Sequence, residues 1–220
     1  MKGGWRAATA VSGTMKNTLI ITIGREFGSG GRAIGEIVAQ RLGIAFYDKQ
    51  LISLAAEKSG LSLEYIENNE QRTRSGFIQN LAASSMYTNG FFSSAYLPLS
   101  ESIFISQAQV IREIAAKEDA VIVGRCADYV LANRENTINV FIYAPLEARV
   151  ASVMRRRNVD EATAMKLINK SDKERGNHYF RYTDQKWGKA QNYHLSIDSS
   201  LMGISKTADL LVQVANLERS

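Results

Sequence analysis

A glycine-rich segment, GREFGSGG at residues 24–31, is the part of this sequence best suited to bind phosphate. It lies between a short apolar run at 19–23 and a stretch whose apolar residues recur at helical spacing until Gly43. Glycines let backbone N–H groups approach phosphate oxygens, and the N-terminus of the following helix adds a favourable dipole. The residues predicted to hold these phosphates are Gly28, Ser29, Gly30, Gly31 and Arg32.

The lysine of the usual P-loop pattern, G-x-x-x-x-G-K-[ST], has no counterpart in this segment. With Gly31 as the second glycine, Arg32 stands at the lysine place and no hydroxyl residue follows it. With Gly30 as the second glycine, Gly31 itself stands at the lysine place. Arg32 or Arg25 can supply the positive charge, through a planar fork rather than a compact ammonium group. The usual hydroxyl ligand of Mg²⁺ is also missing, and Ser29 is its predicted substitute.

The same glycines fit a second phosphate-binding pattern. Gly28-x-Gly30-x-x-Ala33 matches the dinucleotide fingerprint, and Asp48 stands 20 residues after Gly28, where a ribose-binding acid belongs. This fingerprint has a high false-positive rate when it stands alone. A nicotinamide enzyme also has no need of the arginine-rich helices in the last third of the chain, so we retain this reading as the weaker alternative.

Short apolar strands alternating with helical patterns predict an α/β fold with a parallel sheet covered on both faces. After the first strand, the predicted strands are 44–47, 120–123, 138–143 and 193–197. The predicted helices are 34–42, 102–117, 146–157, one from a cap at Asp160 to about Arg175, and 203–217. The sequence therefore predicts three layers around a parallel five-stranded sheet.

Charged side chains follow two of these strands directly. Asp48 ends the second strand, and Arg125 follows the third, with Asp128 three residues later. Ligands of parallel sheets bind at the carboxyl ends of the strands. We predict that Arg125 binds a substrate phosphate and that Asp48 and Asp128 contact the substrate that accepts a group. Structural roles remain open for all three, a helix cap for Asp128 among them.

The bulk composition excludes several classes of protein. The 220 residues contain no run of 18 apolar residues, so no membrane span and no membrane partner are predicted. The single cysteine, Cys126, permits no internal disulfide and no cysteine zinc site, which fits a cytoplasmic protein. The net charge of +5 favours an anionic partner. We predict a small phosphate-rich ligand rather than nucleic acid, because no zinc-finger or basic-zipper pattern is present.

Four segments together resemble the cytidylate kinase-like family. They are IGREFGSGG at 23–31, FYDK at 46–49, VGRCAD at 123–128, and Asp172-Lys173-x-Arg175 with Tyr179 and Trp187-Gly188; the resemblance spans about residues 18–217. It implies a three-layer core of the P-loop NTPase type, with a helical nucleoside-monophosphate (NMP) binding insertion at about 49–117 and a lid at about 152–185. It also implies transfer of the γ-phosphate of ATP to a nucleoside monophosphate such as CMP or dCMP, with Mg²⁺.

The resemblance further implies basic side chains that close over the phosphates, exclude water and neutralise the charge on the transferring group. The residues expected on this basis to be catalytic are Arg32, Arg125, Arg175 and Arg181. Those expected to bind the phosphates of ATP, beside the glycine segment, are Arg156 and Arg157.

Further expectations concern the organisation of the chain and its class. We expect residues 1–16 to be a disordered leader and residues 17–220 to form a single kinase-like domain. Aromatic residues at 76–99, Phe91 and Phe92 among them, lie where acceptor specificity would be set and leave room for a homodimer. The alternatives are a nucleotide-binding protein without transfer activity, a kinase of another small metabolite, and a nucleic-acid binder with steeply salt-dependent affinity.

Overall fold

A computed structural model describes residues 18–48, Leu54 and residues 99–219 of the chain. In this part of the chain, five strands form one sheet in the order β2-β3-β1-β4-β5, with every neighbouring pair parallel. The strands are β1 (Ile20–Arg25), β2 (Ala45–Tyr47), β3 (Ala120–Val123), β4 (Thr137–Tyr143) and β5 (Leu195–Asp198). The helices are α1 (Gly31–Leu42), α2 (Leu99–Lys117), α3 (Ala127–Val130), α4 (Leu146–Arg157), α5 (Glu161–Thr183) and α6 (Ser199–Arg219), with a 3₁₀ turn at Ala190–Asn192.

The central strand, β1, explains why the sheet is covered on both faces. Ile21 and Ile23 point into a core that also contains side chains of α1 and α6. Ile20 points to the opposite face, where it packs with Ile111 of α2 and Leu131 beyond α3. A strand buried on both faces is predominantly apolar, as this one is from Ile20 to Ile23; the one buried polar side chain there, Thr22, donates to Oδ1 of Asn139 at 2.7 Å. The predicted three-layer α/β fold with a parallel five-stranded sheet is therefore confirmed.

Several element boundaries differ from the sequence predictions, and the end of α5 differs most. Helix α5 does not end near Arg175 but continues to Thr183, because Tyr179 and Thr183 extend its buried face. Strand β5 begins at Leu195 rather than at residue 193, after the 3₁₀ turn. Helix α6 begins at Ser199, and Gly203 interrupts its helical geometry with φ 77° and ψ 171°. The predicted cap at Asp160 is present, since its Oδ1 accepts from the N–H of Thr163 at 2.8 Å.

Several expectations about domain organisation lie outside the described residues. These are the leader at 1–16, the aromatic segment up to residue 98 and most of the insertion at 49–117. The residues of the expected lid, 152–185, form the end of α4, a short turn and the whole of α5. Within the described ranges, no helix has the length and apolar character needed to cross a membrane.

Candidate functional site

A cavity of about 630 Å³ opens at the carboxyl ends of β1 and β3, between α5 and the first turns of α2. The carboxylates that line it include Asp48, Asp128 and Glu174. Its basic side chains are Arg25, Arg125, Lys170, Lys173, Arg175 and Arg181. A cavity whose wall carries this much positive charge is suited to an anionic ligand.

The glycine segment turns sharply between β1 and α1 at one side of this cavity. Gly28 and Gly30 have φ of 91° and 83°, in the left-handed region that favours glycine. A Cβ atom on Gly28 would lie 3.0 Å from the Cβ and carbonyl oxygen of Arg149. Helix α1 then begins with no side-chain cap and no acidic residue in its first turn. Its first N–H groups are therefore open to an anion.

Asp172 of α5 holds the glycine segment in position. Its Oδ1 accepts from the N–H of Phe27 at 2.7 Å, and its Oδ2 pairs with Nη1 of Arg149 at 2.5 Å. Arg149 also lies 3.3 Å from Glu26, and Arg175 donates to the carbonyl of Arg25 at 3.0 Å. The segment's backbone is thus held from outside by α4 and α5. The sequence had marked Asp172 only through the family resemblance, and nothing in its pattern marked Arg149.

Arg25 occupies the space over Gly31. A Cβ atom on Gly31 would lie 2.6 Å from the Cβ of Arg25, and one on Gly124 would lie 2.1 Å from its Nη1. The side chain therefore passes across the start of α1 and ends beside the residue that follows β3, where Asp48 lies 3.9 Å from Nη2. Burial, and next the charge of Arg175, lower the pKa of Arg25 to about 9, so its guanidinium is still charged at neutral pH.

Arg32 takes a different direction. Its Nε donates to Oδ2 of Asp48 at 2.8 Å and its Nη1 to Oε2 of Glu36 at 2.9 Å. Its side chain is 54% exposed, and it does not line the cavity. In this arrangement Arg32 forms a surface ion-pair network beside the site.

The backbone after β3 is strained where it meets the cavity. Gly124, Arg125 and Cys126 follow one another with φ of 81°, 58° and 54°. Non-glycine residues in this region cost on the order of 1–3 kcal/mol each and concentrate at functional sites. The turn presents Arg125 to the cavity. Burial raises the pKa of the Cys126 thiol to about 12, so this cysteine is protonated at neutral pH and is not a reactive thiolate.

Asp128 lies just behind this turn, buried. It accepts a hydrogen bond from the Tyr179 hydroxyl of α5 at 2.6 Å. Burial raises the pKa of Asp128, and the bond from Tyr179 opposes that shift. Tyr179 and Asp128, which both belong to the family resemblance and lie far apart in sequence, thus form a hydrogen bond at one wall of the cavity.

The far wall of the cavity is aromatic and joins α5 to α2. The rings of Phe104 and Tyr182 stack with centroids 4.0 Å apart and planes 9° apart. The Tyr182 hydroxyl donates to the carbonyl of Ser100 at 2.9 Å, and Arg181 pairs with Glu101 at 2.5 Å. These contacts place an aromatic pair in the lining of the cavity, with Arg181 beside it. Sequence analysis did not identify this wall, because Phe104 and Tyr182 lie far apart in the chain.

The predicted site residues fall into three groups. Those that line the cavity together are Asp48, Arg125, Asp128, Arg175 and Arg181. The backbone of Gly28, Gly30 and Gly31 lies beside it, in the turn before α1. Arg156 and Arg157 lie in the exposed last turn of α4 and do not line the cavity.

The residues present fit the phosphates of ATP better than they fit a protein-held metal ion. The N-terminus of α1 has no side-chain cap, and the left-handed glycines before it allow the tight turn that brings its N–H groups together, so this end of the helix suits a phosphate group. Ser29, the predicted Mg²⁺ ligand, is buried, and its hydroxyl lies 3.0 Å and 3.1 Å from the carbonyl oxygens of Glu26 and Ile142. This geometry does not favour the metal role. Magnesium in kinase sites is held largely by substrate phosphates and one or two carboxylates, and Asp48 is one of the carboxylates that line the cavity.

Comparisons with known proteins agree with this geometry. The chain matches the cytidylate kinase-like family over residues 20–201. The structure of an uncharacterized protein from Eubacterium ventriosum ATCC 27560 is similar, with 27% identity, 90% of this chain and 99% of that chain covered, and a TM-score of 0.67. Two shikimate kinase structures also match. One is from Bacteroides thetaiotaomicron (12% identity, 90% and 98% covered, TM-score 0.49), and one, in complex with shikimate, is from Acinetobacter baumannii (15% identity, 91% and 93% covered, TM-score 0.44).

No curated protein matches the chain. The family match nevertheless covers most of the chain and includes the glycine segment, the turn after β3 and α5. On these grounds, the protein belongs to the cytidylate kinase-like family.

Proposed function

We propose that this protein transfers the γ-phosphate of ATP to a nucleoside monophosphate, with CMP and dCMP as the first acceptors to test. Membership of a kinase-like P-loop family supports the coarser part of this proposal, ATP-dependent phosphoryl transfer. The observation that carries the finer part is the lining of the cavity, which combines arginines at the strand ends with the stacked pair Phe104 and Tyr182.

These two parts of the lining match the two ends of a nucleoside monophosphate. Arg25, Arg125 and Arg175 offer planar donors that suit a phosphate group. Phe104 and Tyr182 offer an apolar surface against which a flat base can pack. A small sugar acid or polyol has no such flat apolar part, so the aromatic wall favours an acceptor with a base.

In the proposed reaction, an oxygen of the acceptor phosphate attacks the γ-phosphorus, a P–O bond forms to it, and the bond to the leaving ADP oxygen breaks. The attacking oxygen is already anionic, so the protein needs no strong general base. Its task is to position two anionic substrates and to stabilise charge between them. Arg125 would hold the acceptor phosphate, Asp48 and Asp128 would orient the acceptor, and Arg175 would neutralise charge on the transferring group. Arg181 would join Arg175 in this role only after its pair with Glu101 at the aromatic wall breaks.

The direct test is an ADP-release assay with ATP and Mg²⁺ across CMP, dCMP, UMP, AMP and shikimate. We expect turnover with a pyrimidine monophosphate, and a loss of about 100-fold or more in Arg125→Ala, because removing one donor from a transition-state site has that effect. Arg41→Ala is the matched control, since Arg41 pairs with Asp209 on the outer side of α1, away from the cavity.

One observation favours a second candidate, a nucleotide-binding protein without transfer activity: the P-loop lysine is missing from the glycine segment. ATP binding with no ADP release in any acceptor mixture would support that candidate against ours. Turnover with shikimate alone would instead identify a kinase of another small metabolite.

A further inference from the structure

The missing lysine leaves open which side chain brings positive charge to the phosphate that is transferred. In the register with Gly30 as the second glycine, the lysine place is Gly31, the first residue of α1. Any side chain at that position would begin where Arg25 already lies, 2.6 Å from its Cβ and 3.1 Å from its Cγ. A lysine at residue 31 would therefore conflict with any side chain at residue 25 that has a Cβ, and glycine at residue 31 leaves this space to Arg25.

We propose that Arg25 takes the place of the P-loop lysine: its side chain crosses over Gly31 and its guanidinium binds the γ-phosphate during transfer. The inference rests on the proposed function, because it concerns the phosphate which that function would transfer. Arg25 keeps its charge throughout and exchanges no proton. It binds the phosphate while the bond to the ADP oxygen breaks and the bond to the acceptor oxygen forms.

The position of Arg25 in the fold supports this role. Its aliphatic part lies over the open N-terminus of α1, where donor phosphates would bind, and its guanidinium reaches the end of β3, at the cavity. The residue thus spans the boundary between the two proposed substrate sites. Its side chain is only 19% exposed and lies among Arg125 and Arg175, an arrangement that an anion would neutralise.

Glycine at residue 124 is a requirement of the same arrangement. A Cβ atom there would lie 2.1 Å from Nη1 of Arg25, so any other residue would push the guanidinium away. The competing candidate, Arg32, is bound to Asp48 and Glu36 at the surface and does not line the cavity. The geometry therefore distinguishes two arginines that the sequence left as equal alternatives.

The test compares the binding of ATP and of ADP to the full chain by calorimetry, with no acceptor present. Arg25→Met keeps the aliphatic packing over Gly31 and removes the guanidinium. We expect ATP affinity to fall by about 10-fold or more, in line with the loss of a charged hydrogen bond, and ADP affinity to change much less. A purely structural role would weaken both nucleotides alike, so the ratio of the two affinities is the informative quantity.

A swap of the two positions provides a rescue. Gly31→Lys alone should bind poorly because its Cβ meets that of Arg25, whereas Arg25→Gly combined with Gly31→Lys removes this conflict and should regain the preference for ATP over ADP. The remaining close neighbour, the Cβ of Ile142 at 3.2 Å, needs to move by only a few tenths of an ångström. Circular dichroism checks that each variant is folded.

Three results would overturn the proposal. They are an Arg25→Met protein that keeps the ATP preference, a double variant no better than Arg25→Gly, and a preference lost in Arg32→Ala but not in Arg25→Met. A wild-type protein that binds ATP no better than ADP would also overturn it. Because no acceptor is needed, ATP selectivity that depends on Arg25 would stand even if no nucleoside monophosphate were phosphorylated.

Discussion

At the scale of single residues, Asp128 is the carboxylate whose surroundings differ most from water. It is buried, it accepts from the Tyr179 hydroxyl at 2.6 Å, and burial raises its pKa. The folded protein therefore binds a proton at this site more tightly than the unfolded chain does. Between the unfolded pKa and the raised folded pKa, the free energy of unfolding falls as pH rises.

Asp128→Asn should remove this part of the pH dependence, because the amide keeps the shape of the side chain and does not titrate. We expect the unfolding free energy of the variant to fall less steeply than that of the wild type as pH rises above about 4. Urea unfolding at a series of pH values from the acid range to neutrality measures the difference between the two curves.

Asp160→Asn is the control, because Asp160 affects the pH dependence of the free energy of unfolding with the opposite sign. The hydrogen bond from Thr163 lowers the pKa of Asp160, so its contribution to stability is present above the unfolded pKa and is lost as pH falls. Asparagine is an equally good helix cap, so the fold is kept. If the free energy of unfolding varied with pH in the same way for the wild type and Asp128→Asn, the prediction for Asp128 would be contradicted.

The two arginines near the glycine segment show what a sequence can and cannot say about a site. Arg25 and Arg32 were both identified as sources of charge from composition and register alone. The direction of Arg25 depends on the space over Gly31, which has no side chain to fill it. The direction of Arg32 depends on Asp48, a carboxylate that follows another strand. Such information exists only after the elements have packed, and the sequence pattern does not contain it.

At the scale of elements, α1 lies unusually close to the sheet at Gly35. A Cβ atom there would lie 2.9 Å from Cδ1 of Ile23 and 3.3 Å from Cγ1 of Val121. The helix with the proposed phosphate-binding N-terminus therefore packs against β1 and β3 without room for a side chain at residue 35. The position of α1 relative to the cavity therefore depends on having glycine at residue 35.

Gly35→Ala should destabilise the fold by about 1–3 kcal/mol, because it overpacks the core between α1 and the sheet. Gly176→Ala is the matched control: the same substitution in α5 meets only Trp187, at 3.9 Å. It should stabilise by roughly 0.5–1 kcal/mol, since alanine favours a helix more than glycine does. Thermal or urea unfolding of both variants measures the two signs, and equal effects would contradict the packing argument.

Strands and helices were predictable where the pattern was purely local. The bounds predicted for α4, residues 146–157, are those observed, because Pro145 precedes its first turn and Asn158, in the left-handed conformation, follows its last residue. The end of α5 was wrong because residues 176–178 have little helical preference. The helix continues there through the burial of Tyr179 and Thr183 against other elements. Boundaries set by tertiary contacts are those that local patterns miss.

At the scale of the whole molecule, the net charge of +5 does not itself identify the partner. In the part of the chain that the structure describes, six basic side chains line one cavity. A small ligand in that cavity contacts few basic groups of the protein. A nucleic acid would contact many basic groups through the phosphates along its backbone. Salt dependence therefore separates the two classes of partner.

We expect ATP affinity to fall by less than about 10-fold between 50 and 200 mM salt, in contrast to the roughly 10³–10⁵-fold loss typical of proteins with 6–10 contacts to DNA phosphates. Titrations with ATP and with a duplex oligonucleotide at several salt concentrations measure both. Tight, steeply salt-dependent binding of the duplex would contradict the assignment of a small-molecule partner.

The pairing of β1 has a consequence for how the protein is made. Ile20 pairs with Ala120 in β3 and with Thr137 in β4, and the contacts between these strands span 100 and 117 residues of chain. At about 5–20 residues per second, synthesis leaves β1 without either partner for roughly 5–20 s. During that interval its apolar side chains are exposed, so the central strand of the finished sheet is the segment of the growing chain most in need of protection from aggregation.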